Sequence, residues 1–450
     1  MRGAVAAGNR HTAEAGAWAL AHGGNAVDAV VAAALAAFVA EGPLTGPSGG
    51  GFLLLRDAGG EPTVLDCFFA VPSRRAGEMD EVLIVFGDAS TQIFHVGPHS
   101  VAVPGLVPGL WEAYELHGRI PWADLFPPAI TLARAGVEMT GPQRILLEIL
   151  VPILERTPEG RAIYGSHARA ETGAMVEGLV RLRESGPAAV AELQPDLASD
   201  IASYRVIERR PAEASFRGMR VATCPAPSLG GAVVARGLSE LDRWSGGGDP
   251  ALAVALVAAL RSGYRGSAGP GLTGTTHVSV IDEQGNAAAL SSTLGSGSGE
   301  FCGGFQLNNM LGELDVIGLD DRAPGERLPS MMAPTLVLAD GTPRLVVGSA
   351  GSVRLSGAIL QVIHHVVAGG ESVATAIDHP RLHVEDDVVQ IEGGWSQEAA
   401  EALQETGQAV NRWAGRNLYF GGVSAVERGA DGRLGAAGDP RRGGHGIVVP

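Results

Sequence analysis

The sequence predicts an α+β fold in which helices and sheets stack as layers. Three features carry that expectation: two Ala-rich helical segments near the start, a long helical stretch in the middle, and apolar/polar alternation from Thr276 onward. Runs of strand and then helix on either side of a β hairpin point to such layers. At 450 residues the chain is long for one hydrophobic core, and it accommodates either two or three compact units or one large layered domain. It is 45% hydrophobic and 18% charged with a mean hydropathy of +0.15, so it can bury a substantial interior.

Residues 11–22 and 26–41 read as helices joined by Gly23-Gly24-Asn25. Either glycine can take the left-handed position that closes the first helix, and Asn25 can cap the second. Beyond Asp28 the second helix has no polar face, so burial on nearly all sides is expected. Residues 42–51 are too rich in Gly and Pro for regular structure, and strands follow at 52–56 and 63–69 around Ala58-Gly59-Gly60. From about 107 to 210 the pattern is mainly helical, clearest at 111–117 and 145–154, with a polar surface excursion expected at 158–171. From Thr276, Val278 and Val280 alternate with polar neighbours up to Glu283-Gln284-Gly285-Asn286, and residues 287–293 return, which is a hairpin signal. Further strands fit 335–338 and 344–348, and helices fit 357–368 and 396–405.

The formal net charge of −16 and pI near 5.2 repel phosphate backbones and anionic membrane surfaces, so neither nucleic acid nor membrane is an expected partner. Cys67, Cys224 and Cys302 match no zinc spacing and cannot form a fully paired disulfide framework, which fits a reducing compartment. The first residues lack the features of a secretory signal. The apolar run at 29–40 is shorter than the roughly 20 residues a bilayer needs, so a buried helix and a cytoplasmic location are expected.

The chemistry centres on Gly274-Thr275-Thr276-His277, at the head of the hairpin. A threonine hydroxyl is a poor nucleophile without a neighbouring base, but a chain broken before Thr275 would supply its own α-amine. That amine has an unperturbed pKa of about 7.7 to 8.0, close to where a general base works best. Gly274 tolerates a strained peptide and close approach of the hydroxyl to the preceding carbonyl. Taken alone, Gly-Thr-Thr before a strand is a weak signal, since threonine is simply a good strand residue.

An ordered series of motifs adds to it. Gly23-Gly24-Asn25-Ala26-Val27-Asp28-Ala29, Ser48-Gly49-Gly50-Gly51-Phe52, Val103-Pro104-Gly105-Leu106-Val107 and Pro225-Ala226-Pro227-Ser228-Leu229-Gly230-Gly231 precede Thr275-Thr276-His277-Val278-Ser279-Val280. Leu307-Asn308-Asn309, Met332-Ala333-Pro334-Thr335, Gly348-Ser349-Ala350-Gly351-Ser352 and Asp439-Pro440-Arg441 follow it. Over nearly its full length the chain thereby resembles the gamma-glutamyltransferase family of N-terminal-nucleophile hydrolases. The resemblance implies a four-layer αββα sandwich and self-cleavage into a large subunit, residues 1–274, and a small subunit, residues 275–450, that stay associated; it leaves open a dimer of such heterodimers. It further implies Thr275 as nucleophile, Thr293 as the hydroxyl that supports it, and the amides of Gly351 and Ser352 as the oxyanion hole. Each such donor is typically worth about 3 kcal/mol in the transition state. A small-molecule amide substrate is implied, and the mechanism requires no metal or organic cofactor.

Departures from the family pattern fall on specificity. Where members that bind a glutamyl α-carboxylate place an arginine and a glutamate after the strand aspartate, here Asp66, this chain has Phe68 and Phe69. A phenyl ring cannot replace a bidentate guanidinium, so either another cation serves, Arg74 and Arg75 being nearest in sequence, or the acyl group is not an ordinary γ-glutamyl. The family's usual glutamine and aspartate become Met310 and Glu313, its paired serines become Ser330 and Met331, and an asparagine becomes Gly295. Phe68, Asn309, Glu313 and Ser330 are the candidate substrate-binding residues, although Asn308 and Asn309 can equally hold a turn and Ser330 can equally cap a loop.

Other features have plainer readings. His364-His365 suits packing plus one exposed imidazole better than a metal pair, because adjacent residues do not share a helix face. His277 shares a strand face with Thr275, which leaves a minor catalytic part open. Gly49-Gly50-Gly51 lacks the Lys-Ser/Thr of a phosphate loop and suits tight backbone packing. Two other functions stay open: hydrolysis of a carbon–carbon bond to remove an acyl group in a biosynthetic pathway, and a non-catalytic scaffold of the same fold.

Overall fold

The computed structural model describes residues 2–74, 77–86, 90–265, 274–313, 322–385 and 387–450. The first main sheet has the strand order His445–Val449, Gly3–Ala7, Gly274–Asp282, Ala287–Gly295, Gly50–Arg56, Thr63–Cys67, Ile207–Arg209. The second has the order Leu434–Gly438, Gly422–Arg428, Thr342–Ala350, Thr335–Ala339, Met219–Thr223, Ala212–Phe216. They face each other, with Gly274–Asp282 packed on Thr342–Ala350 and Gly422–Arg428. Helices Arg10–Ala21 and Ala26–Ala40 cover the outside of the first sheet, while Gly230–Leu241 and Leu355–Ile363 cover the second, with Asp249–Tyr264 packed on Gly230–Leu241. This is the expected αββα sandwich.

The predicted hairpin sits in the middle of the first sheet. Its register runs from Ile281 opposite Ala287 to Thr276 opposite Ser292, then shifts so that Gly274 lies opposite Gly295. Thr275 alone therefore faces Thr293 and Leu294, a bulge on the returning strand that turns the head of the hairpin. Next to it, Gly50–Arg56 pairs so closely that a Cβ on Gly51 would lie 2.4 Å from the Ser291 carbonyl oxygen, and one on Gly50 would lie 2.7 Å from the Phe69 ring. The glycine run thus permits close backbone packing, as expected of it.

The helix Ala26–Ala40 is buried along its whole length. Asn25 accepts from the Val27 and Asp28 amides, and Asp28 reciprocates by accepting from the Asn25 amide at 2.8 Å, a complete capping box. Asp28 also accepts from the Arg119 and Ile120 amides, at 3.0 and 3.1 Å, which satisfies a carboxylate that is fully buried. The same helix end is thereby tied to the helical lobe, which runs from Leu106–His117 through Ala198–Ser203.

Three expectations are adjusted. Residues 158–171 lie largely at the surface but are anchored there: the helix Pro158–Tyr164 buries Ile163 and Tyr164 into the lobe, two large side chains being enough to hold a polar segment. The helix expected at 357–368 starts at Leu355 and widens to a π-helical turn at His364–Ala368. Both imidazoles there are buried: His364 packs edge-on against Trp244, and His365 stacks on His379 with ring centroids 3.9 Å apart and bonds Glu371. The strands Gly3–Ala7 and His445–Val449, one at each end of the chain, were not anticipated; they are short, and their partners are far away in sequence. Cys67, Cys224 and Cys302 are unpaired thiols, and no described helix is long and apolar enough to cross a membrane.

Because Asn25 also donates to the His117 carbonyl at 2.6 Å, Asn25→Ala removes a cap and an interlayer contact together. It is expected to lower stability by about 2 kcal/mol, read as a lower urea midpoint, with Asn25→Ser recovering the cap's share. An unchanged midpoint for the alanine variant would count against the cap as the link between helix and lobe.

Candidate active site

Thr275 is 2% exposed and begins the central strand. The hydroxyl of Thr293 donates to the carbonyl oxygen of Gly274, the carbonyl of the peptide that joins Gly274 to Thr275. The Gly295 amide donates in turn to Thr293 Oγ1 at 2.8 Å, which orients the hydroxyl. A donor on this oxygen withdraws electron density from the carbonyl carbon and waits where negative charge would develop if a nucleophile added. Gly274 itself has no room for a side chain: a Cβ there would lie 2.6 Å from the Gly295 carbonyl oxygen and 2.9 Å from Leu44.

The next two residues point to opposite sides of the sheet. Thr276 Oγ1 donates to Glu41 at 2.6 Å, and Thr12 donates to the other oxygen of the same carboxyl at 2.6 Å. Burial pushes the Glu41 pKa up, although the two hydroxyls work against the shift. His277 points between the sheets, its ring nitrogens 2.8 Å from Ser291 Oγ and 2.9 Å from Ser279 Oγ. A Cβ on Gly348 would lie 2.2 Å from that ring, so glycine in the facing strand makes the space for it. Burial pushes the His277 pKa down to about 3, so the ring is neutral at physiological pH and acts as a cross-strand tether.

Phe68, Thr275, Thr293, Ser330 and Ser352 line one small cavity, together with Met310, Met331, Met332 and Leu355. Gly351 directly precedes it, with φ of +129°, and Ser352 takes φ of +56°, a left-handed conformation rare for a side-chain-bearing residue. Ser352 Oγ is buried without a hydrogen-bond partner among the described residues. Ser330 Oγ accepts from the Met332 amide at 3.0 Å, a loop cap that still leaves the hydroxyl on the cavity wall. Phe68 stacks on Phe52 with centroids 5.3 Å apart and closes one side.

Two expected substrate-binding residues lie elsewhere. Asn309 Oδ1 accepts from the Ser296 and Gly297 amides at 2.9 and 3.1 Å, and its Nδ2 donates to Ser296 Oγ at 2.7 Å and to the His95 carbonyl at 3.3 Å. Glu313 accepts from the Ser296 amide and hydroxyl, both at 2.9 Å. Neither lines the cavity; both hold the turn after the returning strand, whose unpaired amides demand acceptors. Asn308 has the same kind of role, joining the Ser48 loop to Ala102. Gly295 suits this turn, since a Cβ there would lie 2.3 Å from Asn309 Oδ1 and 2.9 Å from Glu313 Oε1.

The cation absent at Phe68 is not restored at this cavity. Arg74 is exposed and Arg75 lies outside the described residues. Arg209 and Arg327 close on Asp66, at 2.8 and 3.6 Å, and among the described residues no charged side chain lines the smaller cavity.

Thr275 also borders a second, larger space. Its wall is mostly apolar, with Leu44, Met139, Leu146, Leu147 and Leu418, but it includes Glu41, Asp439 and Arg442. Sequence reasoning missed this chamber. A carboxyl closing an otherwise apolar helix at Glu41 was an available signal, and so was the motif Asp439-Pro440-Arg441, which runs directly into Arg442.

The pH behaviour of His277 can be measured. Its folded pKa lies below its unfolded one, so its contribution is present above about pH 6.5 and is lost as pH falls towards about 3. Over that window wild type is expected to lose stability more steeply than His277→Gln, by at most about 1.4 kcal/mol per pH unit. Parallel denaturation curves at pH 4 to 7 would show instead that the ring titrates freely.

The sequence pattern described as gamma-glutamyltranspeptidase matches residues 12–178 and 257–449. The glutathione hydrolase proenzyme of Pseudomonas aeruginosa is 29% identical, over 99% of this chain and 94% of its own. The acylase ACY 1 proenzyme of Pseudomonas sp. strain SE83 is 27% identical, over 96% of this chain and 91% of its own. Among solved structures, cephalosporin acylase from Bacillus halodurans superposes with a TM-score of 0.81 at 21% identity, covering 99% of this chain and 95% of that one, a likeness of fold. With the family pattern spanning both the outer helices and the hairpin that carries Thr275, the chain belongs to the gamma-glutamyltranspeptidase family of hydrolases and acyl-transferring enzymes.

Proposed function

We propose that the chain cuts itself between Gly274 and Thr275 and then uses Thr275 to hydrolyse or transfer the acyl group of an amide whose acyl part is less polar than γ-glutamyl. The observation that carries this reading is the Thr293 hydroxyl on the Gly274 carbonyl, at the residue that borders both cavities. In the uncut chain Thr275 Oγ1 adds to the Gly274 carbonyl carbon while Thr293 holds the oxygen. Collapse expels the Thr275 nitrogen and leaves an ester, which water opens to give the Gly274 carboxylate and a free α-amine. That amine then takes the hydroxyl proton as Thr275 Oγ1 attacks a substrate carbonyl, and it returns the proton to the departing amine. The Gly351 and Ser352 amides hold the oxyanion, and water or a second amine releases the acyl group. Residues 1–274 and 275–450 remain joined as a heterodimer, because the first sheet takes strands from both sides of the cut.

The altered acyl group is supported by the cavity wall. A zwitterionic head needs a cation and an anion at fixed places, whereas Phe68, Met310 and Met331 offer apolar surface. An acyl chain without charge fits that surface.

On a denaturing gel wild type is expected to run as two bands and Thr275→Ala as one. Thr293→Val is expected to slow cleavage by on the order of 10²-fold, with Thr293→Ser restoring it. An intact wild type with full activity would sink the mechanism. For the acyl group, hexanoyl-p-nitroanilide is expected to be turned over faster than γ-glutamyl-p-nitroanilide, and the reverse order would refute the assignment of an apolar pocket.

A further inference from the structure

Among the described residues, His365, Glu371 and His379 bring one ligand atom each to within 4.8 Å of one another, and none of the three lines either cavity beside Thr275. His365 Nδ1 lies 3.2 Å from one Glu371 oxygen, and His379 Nε2 lies 2.7 Å from the other. The two imidazoles stack with planes 4° apart and centroids 3.9 Å apart. His364 takes no part, since its ring turns to Trp244. Adjacent histidines do not share a helix face, but His365 finds its partner across a turn instead.

The backbone fixes these three positions from both sides. After the helix Leu355–Ile363 the chain widens into the π turn His364–Ala368, a rare conformation that frequently marks functional sites. The Glu371 amide then donates to the His365 carbonyl at 3.2 Å, which folds the loop back over the turn. Ser372 caps the next helix, Val373–Asp378, and the Val373 amide is held by Glu427 at 2.8 Å. Beyond that helix the His379 carbonyl accepts from Arg441 Nη2 at 2.9 Å, and Arg441 is locked to Glu392 and Asp439. The three side chains therefore hang from a fixed frame, and only their own torsions have to adjust.

We propose that His365, Glu371 and His379 form a binding site for one divalent ion of the zinc class, with water completing the coordination. Two imidazole nitrogens and a carboxylate oxygen suit zinc and its first-row neighbours, whereas magnesium and calcium prefer all-oxygen sites. Zinc needs such atoms about 2.0 to 2.2 Å from one centre, which in a tetrahedron puts them roughly 3.3 Å from each other. Each nitrogen is already near that distance from a Glu371 oxygen. To aim both lone pairs at the ion, the stacked rings must tilt apart about their Cβ–Cγ bonds, the carboxylate exchanging its hydrogen bonds for a metal bond. Solvent reaches the side where this happens: the side chains of His379 and Glu371 are 38% and 26% exposed, that of His365 only 10%. The neighbouring Arg381 is neutralised by Asp439 at 2.5 Å, so its charge does not bar a cation. The helix that begins beyond the Gly351-Ser352 turn ends at His365, and an ion here ties that end to residues 371–379. Its effect is on stability, because it binds the folded chain and not the unfolded one. The site does not depend on the reading of Thr275 as nucleophile.

The test uses the full chain, freed of any affinity tag and stripped with EDTA. In isothermal titration with ZnCl2 wild type is expected to bind one zinc per chain with micromolar or tighter affinity, while MgCl2 gives no saturable binding in that range. His379→Asn and Glu371→Gln, both at partly exposed positions, are each expected to weaken zinc binding at least about tenfold, the lower end of what loss of an outer-shell partner costs. Both are expected to lose the rise in unfolding temperature that zinc gives wild type, with unfolding in EDTA confirming that they are folded. A crystal soaked in ZnCl2 is expected to show zinc-edge anomalous density between the three side chains. Wild type without saturable zinc binding, zinc affinity that survives in both variants, or magnesium bound as tightly as zinc would overturn the proposal. None of these readouts involves self-cleavage or turnover, so failure here and failure of the catalytic reading are told apart.

Discussion

The register of the central hairpin is the constraint on which the rest of the site depends. Thr293 reaches the Gly274 carbonyl only because Thr276 pairs with Ser292 and the bulge inserts one extra residue after it. Side chains alternate along a strand, so a one-residue slip would turn Thr293 to the helix layer and Ser292 to the sheet interface. Several contacts resist that slip. His277 bridges to Ser291 across the hairpin, Thr45 bonds Ser292 from the opposite face at 2.9 Å, and Gly51 allows the next strand to close up against Ser291. The neutral histidine is therefore part of the framework that holds Thr275 in place.

Thr275 borders two chambers of different character. One is small, lined by phenyl, thioether and hydroxyl groups and by no charged side chain among the described residues, while the other is larger and carries four ionisable side chains, Glu41, His277, Asp439 and Arg442, in a mostly apolar wall. A reaction that splits an amide into two halves has use for such asymmetry, because each half can be selected by its own surface. The buried acids around the site are each paid for locally: Asp28 by backbone amides, Glu41 by threonine hydroxyls, Asp66 by Arg209, and Asp439 by Arg381 and Arg441. Burial alone would raise the Asp439 pKa, and the two guanidinium groups hold it below its ordinary value. Arg354 and Arg442, by contrast, pair with no carboxylate among the described residues.

Much of the architecture was legible from local pattern. The two Ala-rich helices with the Asn25 cap, the hairpin around Gly285, and the strands near 335 and 344 all depend on periodicity and capping, which a few neighbouring residues decide. The terminal strands Gly3–Ala7 and His445–Val449 were not legible, because pairing between opposite ends of the chain leaves no local trace. The same holds for Tyr164, whose burial depends on lobe helices that the surrounding polar residues do not announce.

The sequence by itself determined the family and the position of Thr275, since those rest on ordered motifs and on the chemistry of a hydroxyl beside a potential amine. It also exposed the loss of a cation at Phe68, because an arginine and a phenyl ring cannot do the same work. Only the tertiary structure decided that Asn309 and Glu313 spend their polar groups on the Ser296 turn, that Ser330 and Ser352 reach the same cavity as Thr293, and that Arg442 borders the same space as Thr275. The reason is physical. What a side chain can bind depends on which of its donors and acceptors remain unsatisfied after folding, and that is settled by partners distant in sequence.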